Sequence, residues 1–289
     1  MDLHALAAGG FLLSSFAPHK TRETQVSRME TRCLFSARCL RQLVLYALST
    51  MFCAVPLRGA DDAKDVQSIA DLRIEGLKAL EKQDRGAAID AADRLLQHHP
   101  NDPRAIRLVG DLYLRSGKVN SAITQYERYV ELVPVDKPEL WQYGVALALA
   151  DRFDEGRQLF EMHRIVNPND VENAAWHFLC VAKLAGIAEA RKLVLPAPSD
   201  SRVPMNEIRR LLIDGNEERV WSAVNQLPED AAGHKEASFY ANLYLGLLAD
   251  AQKNPTKAKR LVGAAAKTEQ VNFMADIARV YLTEIEAEK

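Results

Sequence analysis

From Leu72 to Pro168 apolar and small residues recur every three or four positions, in runs broken at regular places. Leu72, Gly76 and Ala79 form one stripe, and Ala88, Ala92 and Leu95 form the next. That recurrence predicts helices with one buried face. The breaks are Pro100, Pro134 and Pro168, spaced 34 apart. Proline lacks an N–H and turns the preceding residue away from the helical region, so each ends a helix. Gly76, Gly110 and Gly144 keep the same spacing, each ahead of its proline by one constant interval. One period therefore predicts one helical hairpin, whose small residues let its two helices lie close. Asn101-Asp102 and Asn169-Asp170 follow the breaks as turn and capping residues. A single hairpin cannot bury its apolar face, so the hairpins must stack.

The pattern weakens after Pro168. Residues 171–195 place Ala190 in register but put Phe178 where glycine stands in the earlier periods. Residues 196–204 predict a break, followed by two short helices near 205–213 and 216–226 joined at Gly215. A fifth hairpin is predicted from Phe239 to Ala266, with Gly246, Ala258 and Ala265 in register. The last helix, about 270–287, is predicted to bury Phe273, Ile277, Val280 and Tyr281 and to expose Glu284, Glu286 and Glu288 as a terminal cap.

This period, the distance from one proline break to the next, resembles that of the tetratricopeptide repeat (TPR) family. The second period carries the resemblance position by position, through Ile106, Gly110, Tyr113, Ala122, Tyr126, Tyr129 and Pro134. The third follows with Leu140, Tyr143, Gly144, Leu147, Phe160 and Pro168, Gly156 replacing the usual alanine. The resemblance implies an all-α, right-handed superhelical solenoid of helix-turn-helix hairpins with a C-terminal capping helix. It divides the chain into a targeting segment (1–60), four repeats, the fourth degenerate (61–196), and a C-terminal helical region (197–289). Residues 137–285 further resemble the NlpI-type envelope lipoproteins. Asn167-Pro-Asn-Asp170 leading to Trp176, Met205-Asn-Glu-Ile, Ser238-Phe-Tyr240 and Asn272-Phe-Met-Ala carry that likeness. It implies a non-catalytic adaptor that brings cell-wall hydrolases, or a processing protease and its target, together.

Charge and cysteine divide the chain at the same place. The whole carries a net charge of −2, which gives no basic excess for nucleic acid. Positions 1–60 hold seven basic against three acidic side chains, and those beyond hold 30 against 36. Cys33, Cys39 and Cys53 lie in the first segment, leaving Cys180 as the one cysteine of the body, without an internal disulfide or a cysteine metal cage. Arg38 and Arg41 precede the uncharged run Leu43–Leu57, which is short for a membrane span. These are the parts of a secretory signal, with cleavage expected after Ala60 and a start at Met29 as a second reading. An exported, periplasmic or envelope protein is expected, with an uncleaved anchor as the alternative. The residues before Cys53 suit lipidation poorly, because Phe52 stands where a small residue is wanted.

Candidate chemistry is sparse. His177 and Cys180 are one helical turn apart and Glu161 and His163 share a helix, yet packing accounts for both pairs. No His-Glu-x-x-His, Gly-x-Ser-x-Gly or phosphate-cradling loop occurs. The chain is therefore expected to be no enzyme, with neither cofactor nor metal, and to bind protein or peptide, homodimerisation remaining open. By resemblance to the family, the first helix of each hairpin lines the concave side. This gives Arg73, then Arg104, Arg107 and Asp111, then Pro138, Trp141, Val145 and Ala148 as the partner-binding wall. Trp and Arg are residue types that anchor interfaces. The hairpin around Tyr240 and Tyr244 is the second place to look.

Overall fold

The computed structural model describes residues 67–287. The expected targeting segment, with Leu43–Leu57, Cys53 and the expected cleavage point at Ala60, lies outside the described residues, as does Glu288. The described residues are all-α, without a strand among them. None of their helices is long and apolar enough to cross a membrane.

Four hairpins follow the repeat. They pair α1 (Ile69–Glu81) with α2 (Arg85–His98), α3 (Pro103–Arg115) with α4 (Val119–Leu132), α5 (Trp141–Leu149) with α6 (Phe153–Val166), and α7 (Val171–Ala185) with α8 (Ile187–Lys192). Side chains cap many of the starts, as at Ser68, Asp84, Asp102 and Asp170, each accepting a backbone N–H of the first turn. The third hairpin departs from the expected start. Pro134–Glu139 is a 3₁₀ turn, so Pro138 does not stand on a first helix. Its carbonyl instead bonds His163 Nδ1 at 2.8 Å.

Close helix approach is visible at three glycines. A Cβ on Gly110 would lie 2.7 Å from Tyr126 Cε1, on Gly144 2.6 Å from Phe160 Cε1, and on Gly246 2.6 Å from Val262 Cγ2. In each case the contacting side chain stands at the same offset, in the second helix of the same hairpin. Gly246 and Val262 belong to α11 (Ala232–Ala251) and α12 (Pro255–Ala266), so the fifth hairpin keeps the register. It begins at Ala232, two turns before the expected Phe239. The fourth hairpin is cut short. Phe178 is fully buried where glycine stood before, and α8 has six residues. The short helices α9 (Met205–Asp214) and α10 (Glu217–Asn225) meet at Gly215, whose φ of 78° is left-handed.

The last helix, α13 (Phe273–Ala287), is enclosed more deeply at its start than the sequence reading expects. It buries Ile277, Val280 and Tyr281 and exposes Glu286 as expected, while Glu284 is half-buried. Met274, Ala275, Asp276, Ile277 and Ala278 are consecutive buried residues, which leaves its first turns without a solvent side. One face packs on α12 and another reaches back to α3 in the second hairpin.

Candidate functional site

α13 packs over the Trp141 end of the expected binding wall. Asp276 stands on α13 among buried neighbours and faces two cations. Arg115 of α3 reaches its Oδ2 through Nε at 2.8 Å and Nη2 at 2.7 Å, and Arg279 reaches Oδ1 at 2.9 Å. Burial raises the Asp276 pKa, opposed by both arginines. Phe273 meets the Trp141 ring edge-on at 4.8 Å and lies under the Arg115 guanidinium at 5.4 Å. Farther along, Trp176 of α7 lies 5.6 Å from Tyr281, whose hydroxyl donates to Asp250 at 2.7 Å. Val145 and Ala148, expected on an open wall, are buried.

Besides Pro138, Val145 and Ala148, the five other predicted residues fare differently. Arg73 and Arg104 are exposed, and Arg104 pairs with its own capping residue Asp102 at 2.7 Å. Arg107 is half-buried, 5.8 Å above the Tyr129 ring. Asp111 accepts the Tyr126 hydroxyl at 2.7 Å. Trp141 packs on Phe273. Arg107 and Asp111 are brought together electrostatically, with Arg115 as a third member.

Burial pushes the Asp111 carboxyl up to about 6, against the pull of the Tyr126 hydroxyl, Arg107 and Arg115. An acid with a raised folded pKa binds its proton more tightly in the folded chain. Stability through this group is thus highest below about 4 and falls as pH rises towards 6. Asp111→Asn should flatten that part of the profile, which urea melts at pH 4, 5 and 7 would show; an unchanged pH dependence would mean that Asp111 is ionised throughout.

Beyond Trp141 the fold leaves a cleft of 740 Å³. Its aromatic walls are Trp141, Trp176, Tyr240 and Phe273, with Asn169 and Glu236 among its polar residues. The segment read only as a break, 196–204, supplies one side. There Arg202 bonds both Asp200, at 2.7 Å, and Glu172 of α7, and its guanidinium lies 5.2 Å above the Tyr240 ring. Tyr244 donates to the other Glu172 oxygen at 2.8 Å. Burial raises the Glu172 pKa, and Arg202 opposes the shift. Sequence reading located Trp141, Tyr240 and Tyr244 but missed Asp200 and Arg202. Proline-rich composition marked their segment as connection, although an Asp-x-Arg pair in a loop beside a helix carboxylate was a usable signal.

Catalytic chemistry finds little support in the geometry. Burial pushes the Cys180 thiol up to about 12, far from a thiolate at neutral pH. His177 Nε2 lies 3.3 Å from Glu161 Oε1, and burial lowers its pKa. Among the described residues, no group of three His, Cys, Asp or Glu could hold a metal ion.

Residues 77–153 match the tetratricopeptide repeat family model. Among solved structures, a tetratricopeptide repeat protein from Parabacteroides merdae is 13% identical, aligned over 75% of this chain and 98% of that one at a TM-score of 0.39. A thermophilic TPR protein of Thermus thermophilus is 16% identical over the same shares, at a TM-score of 0.40. No curated protein matches the chain.

Proposed function

We propose that the chain is a non-catalytic scaffold of tetratricopeptide type that binds a segment of a partner protein in the cleft between α5, α7, α11 and the 196–204 loop. The observation that carries this reading is the position of α13. It occupies part of the face that first helices otherwise offer, through Phe273 on Trp141 and Asp276 on Arg115. The cleft beside it is concave and sets aromatic rings among many polar and charged side chains, so it can take apolar side chains of a segment and hydrogen-bond its backbone. The Arg202 network holds Tyr240 and Glu172 in place around it.

On this reading the protein is exported and works in the periplasm or envelope, as an adaptor similar to the NlpI type. The basic start and the run Leu43–Leu57 support export. A membrane-anchored assembly factor is the alternative, favoured if the mature chain still carries that run. N-terminal sequencing of the exported protein separates the two, with Asp61 as the expected first residue.

The binding site is tested by photo-crosslinking from benzophenone side chains at Asn169 and Glu236, on the cleft, and at Arg73 and Arg104, on the exposed first-helix positions. Crosslinks to one partner are expected from the cleft pair. The same partner captured only from Arg73 and Arg104 would return the site to the first helices.

A further inference from the structure

A second concavity lies away from the cleft, between α12, α13 and the start of α2. It measures 650 Å³ and is lined by Arg85, Lys259, Arg260, Lys267 and Arg279 against one carboxylate, Glu286. Its remaining lining is small or apolar, with Gly263, Ala264, Ala266 and Leu282. A recess of 150 Å³ carries Arg85 and Arg279 on to Arg115. Arg115 and Arg279 share the single carboxylate of Asp276, so one positive charge there remains unbalanced. Among the described residues, no carboxylate lies within 4.0 Å of Arg85, Lys259, Arg260 or Lys267. Lys257, on the same helix, does find one, reaching Glu217 at 2.5 and 2.7 Å.

Folding gives no reason for this grouping. Arg85 is the first residue of α2, and Lys257, Lys259 and Arg260 fall in the first two turns of α12. Neither helix has an acidic residue in its first turn. Cations there oppose the positive end of the helix dipole, and Lys257 and Arg260 are like charges one turn apart. An anion in the groove would offset these repulsions with new attractions. The body of the chain is acidic, 30 basic side chains against 36 beyond position 60, so the groove is a local exception to its charge.

We propose that this groove is a second docking site, which takes an acidic segment of a partner protein. Its cations come from three helices and surround a floor of small side chains, so an extended backbone can descend between them while successive carboxylates meet the rim. Arg85 and Arg260 offer the planar fork that matches a carboxylate, while Arg279, held by Asp276 and the Thr268 carbonyl, adds positive charge at the groove's edge. The groove is formed by second helices and α13, and it shares no lining residue with the cleft. A scaffold so built holds two partners at once without competition between them. The inference does not depend on the cleft, and the crosslinking result there leaves it untouched.

The test uses the full chain and a fluorescein-labelled, N-acetylated oligoglutamate, with binding followed by anisotropy at low and physiological salt. Combining Lys259→Glu, Arg260→Glu and Lys267→Glu should weaken binding about tenfold or more, since each reversal replaces an attraction by a repulsion. Combining Arg73→Glu, Arg104→Glu and Arg164→Glu changes the net charge equally at positions outside the groove, on α1, α3 and α6, and should leave affinity within about twofold. Lys267→Glu alone, exposed beyond the end of α12, should weaken binding severalfold, and it carries the test if the triple variant loses its helical circular dichroism. Equal weakening in both triple variants would overturn the proposal, because binding would then follow overall charge. Displacement of the peptide by inorganic tripolyphosphate at concentrations well below the peptide's own Kd would also overturn it, by assigning the groove to phosphate. No measurable binding of the peptide to the unaltered chain at low salt would overturn it outright.

Discussion

Gly246→Leu is expected to destabilise the chain by about 3 kcal/mol or more, read as a fall in melting temperature of roughly 6–12 °C. The first side-chain atom already has nowhere to go. A Cβ there would sit 2.6 Å from Val262 Cγ2 and 3.0 Å from the Val262 backbone nitrogen. A side chain such as Tyr126, which meets Gly110, can rotate in part, whereas the backbone of α12 must move as a helix. Gly233→Ala provides the contrast. It lies at the start of the same helix with nothing within 4 Å of its Cβ. That change should be neutral or gain up to about 1 kcal/mol from helix propensity. A Gly246→Leu chain that melts with the unaltered one would mean that α11 and α12 are paired in another register.

Asp276→Ala is expected to cost about 3–5 kcal/mol, because it leaves two buried guanidinium groups without their counter-charge. Arg115 and Arg279 keep 11% and 13% of their side-chain surface exposed, too little for water to replace the carboxylate. The loss should be local before it is global. Hydrogen exchange should quicken first in α13 and in the last turn of α3, the two ends of the contact. Asp276→Asn should recover part of the loss by restoring hydrogen-bond acceptance without charge. Full protection of α13 amides in the alanine variant would show that the apolar contacts hold the helix unaided.

Local spacing made the hairpins legible, because what holds a repeat together lies within one period. Gly110 and Tyr126 belong to the same hairpin, and a close approach needs only one small residue facing one large one. The docking of α13 has no such local trace. Arg115 and Asp276 are separated by 161 residues, and nothing near either names the other. Trp141 was legible as an inward position, but its partner Phe273 belongs to the far end of the chain. One signal was available. Phe273-Met-Ala-Asp-Ile-Ala is apolar or small on nearly every side of a helix, and such a helix is buried all round. The cleft was half legible for the same reason: Trp141 sits at a repeat position and Tyr240 in a hairpin that keeps the register, whereas Asp200 and Arg202 stand in a loop that no period describes.

The contact between α3 and α13 also alters how the array should respond to damage. In an open solenoid each repeat touches only its neighbours, so stability adds along the chain and an end repeat can melt or be removed alone. Here an element near the start is clasped by the final helix, and the series becomes a closed loop of dependencies. Loss of α13 exposes surfaces on α3, α5 and α7 together, not merely the flank of its neighbour α12. Such a chain should unfold in one cooperative step, with its first and last hairpins failing at the same temperature.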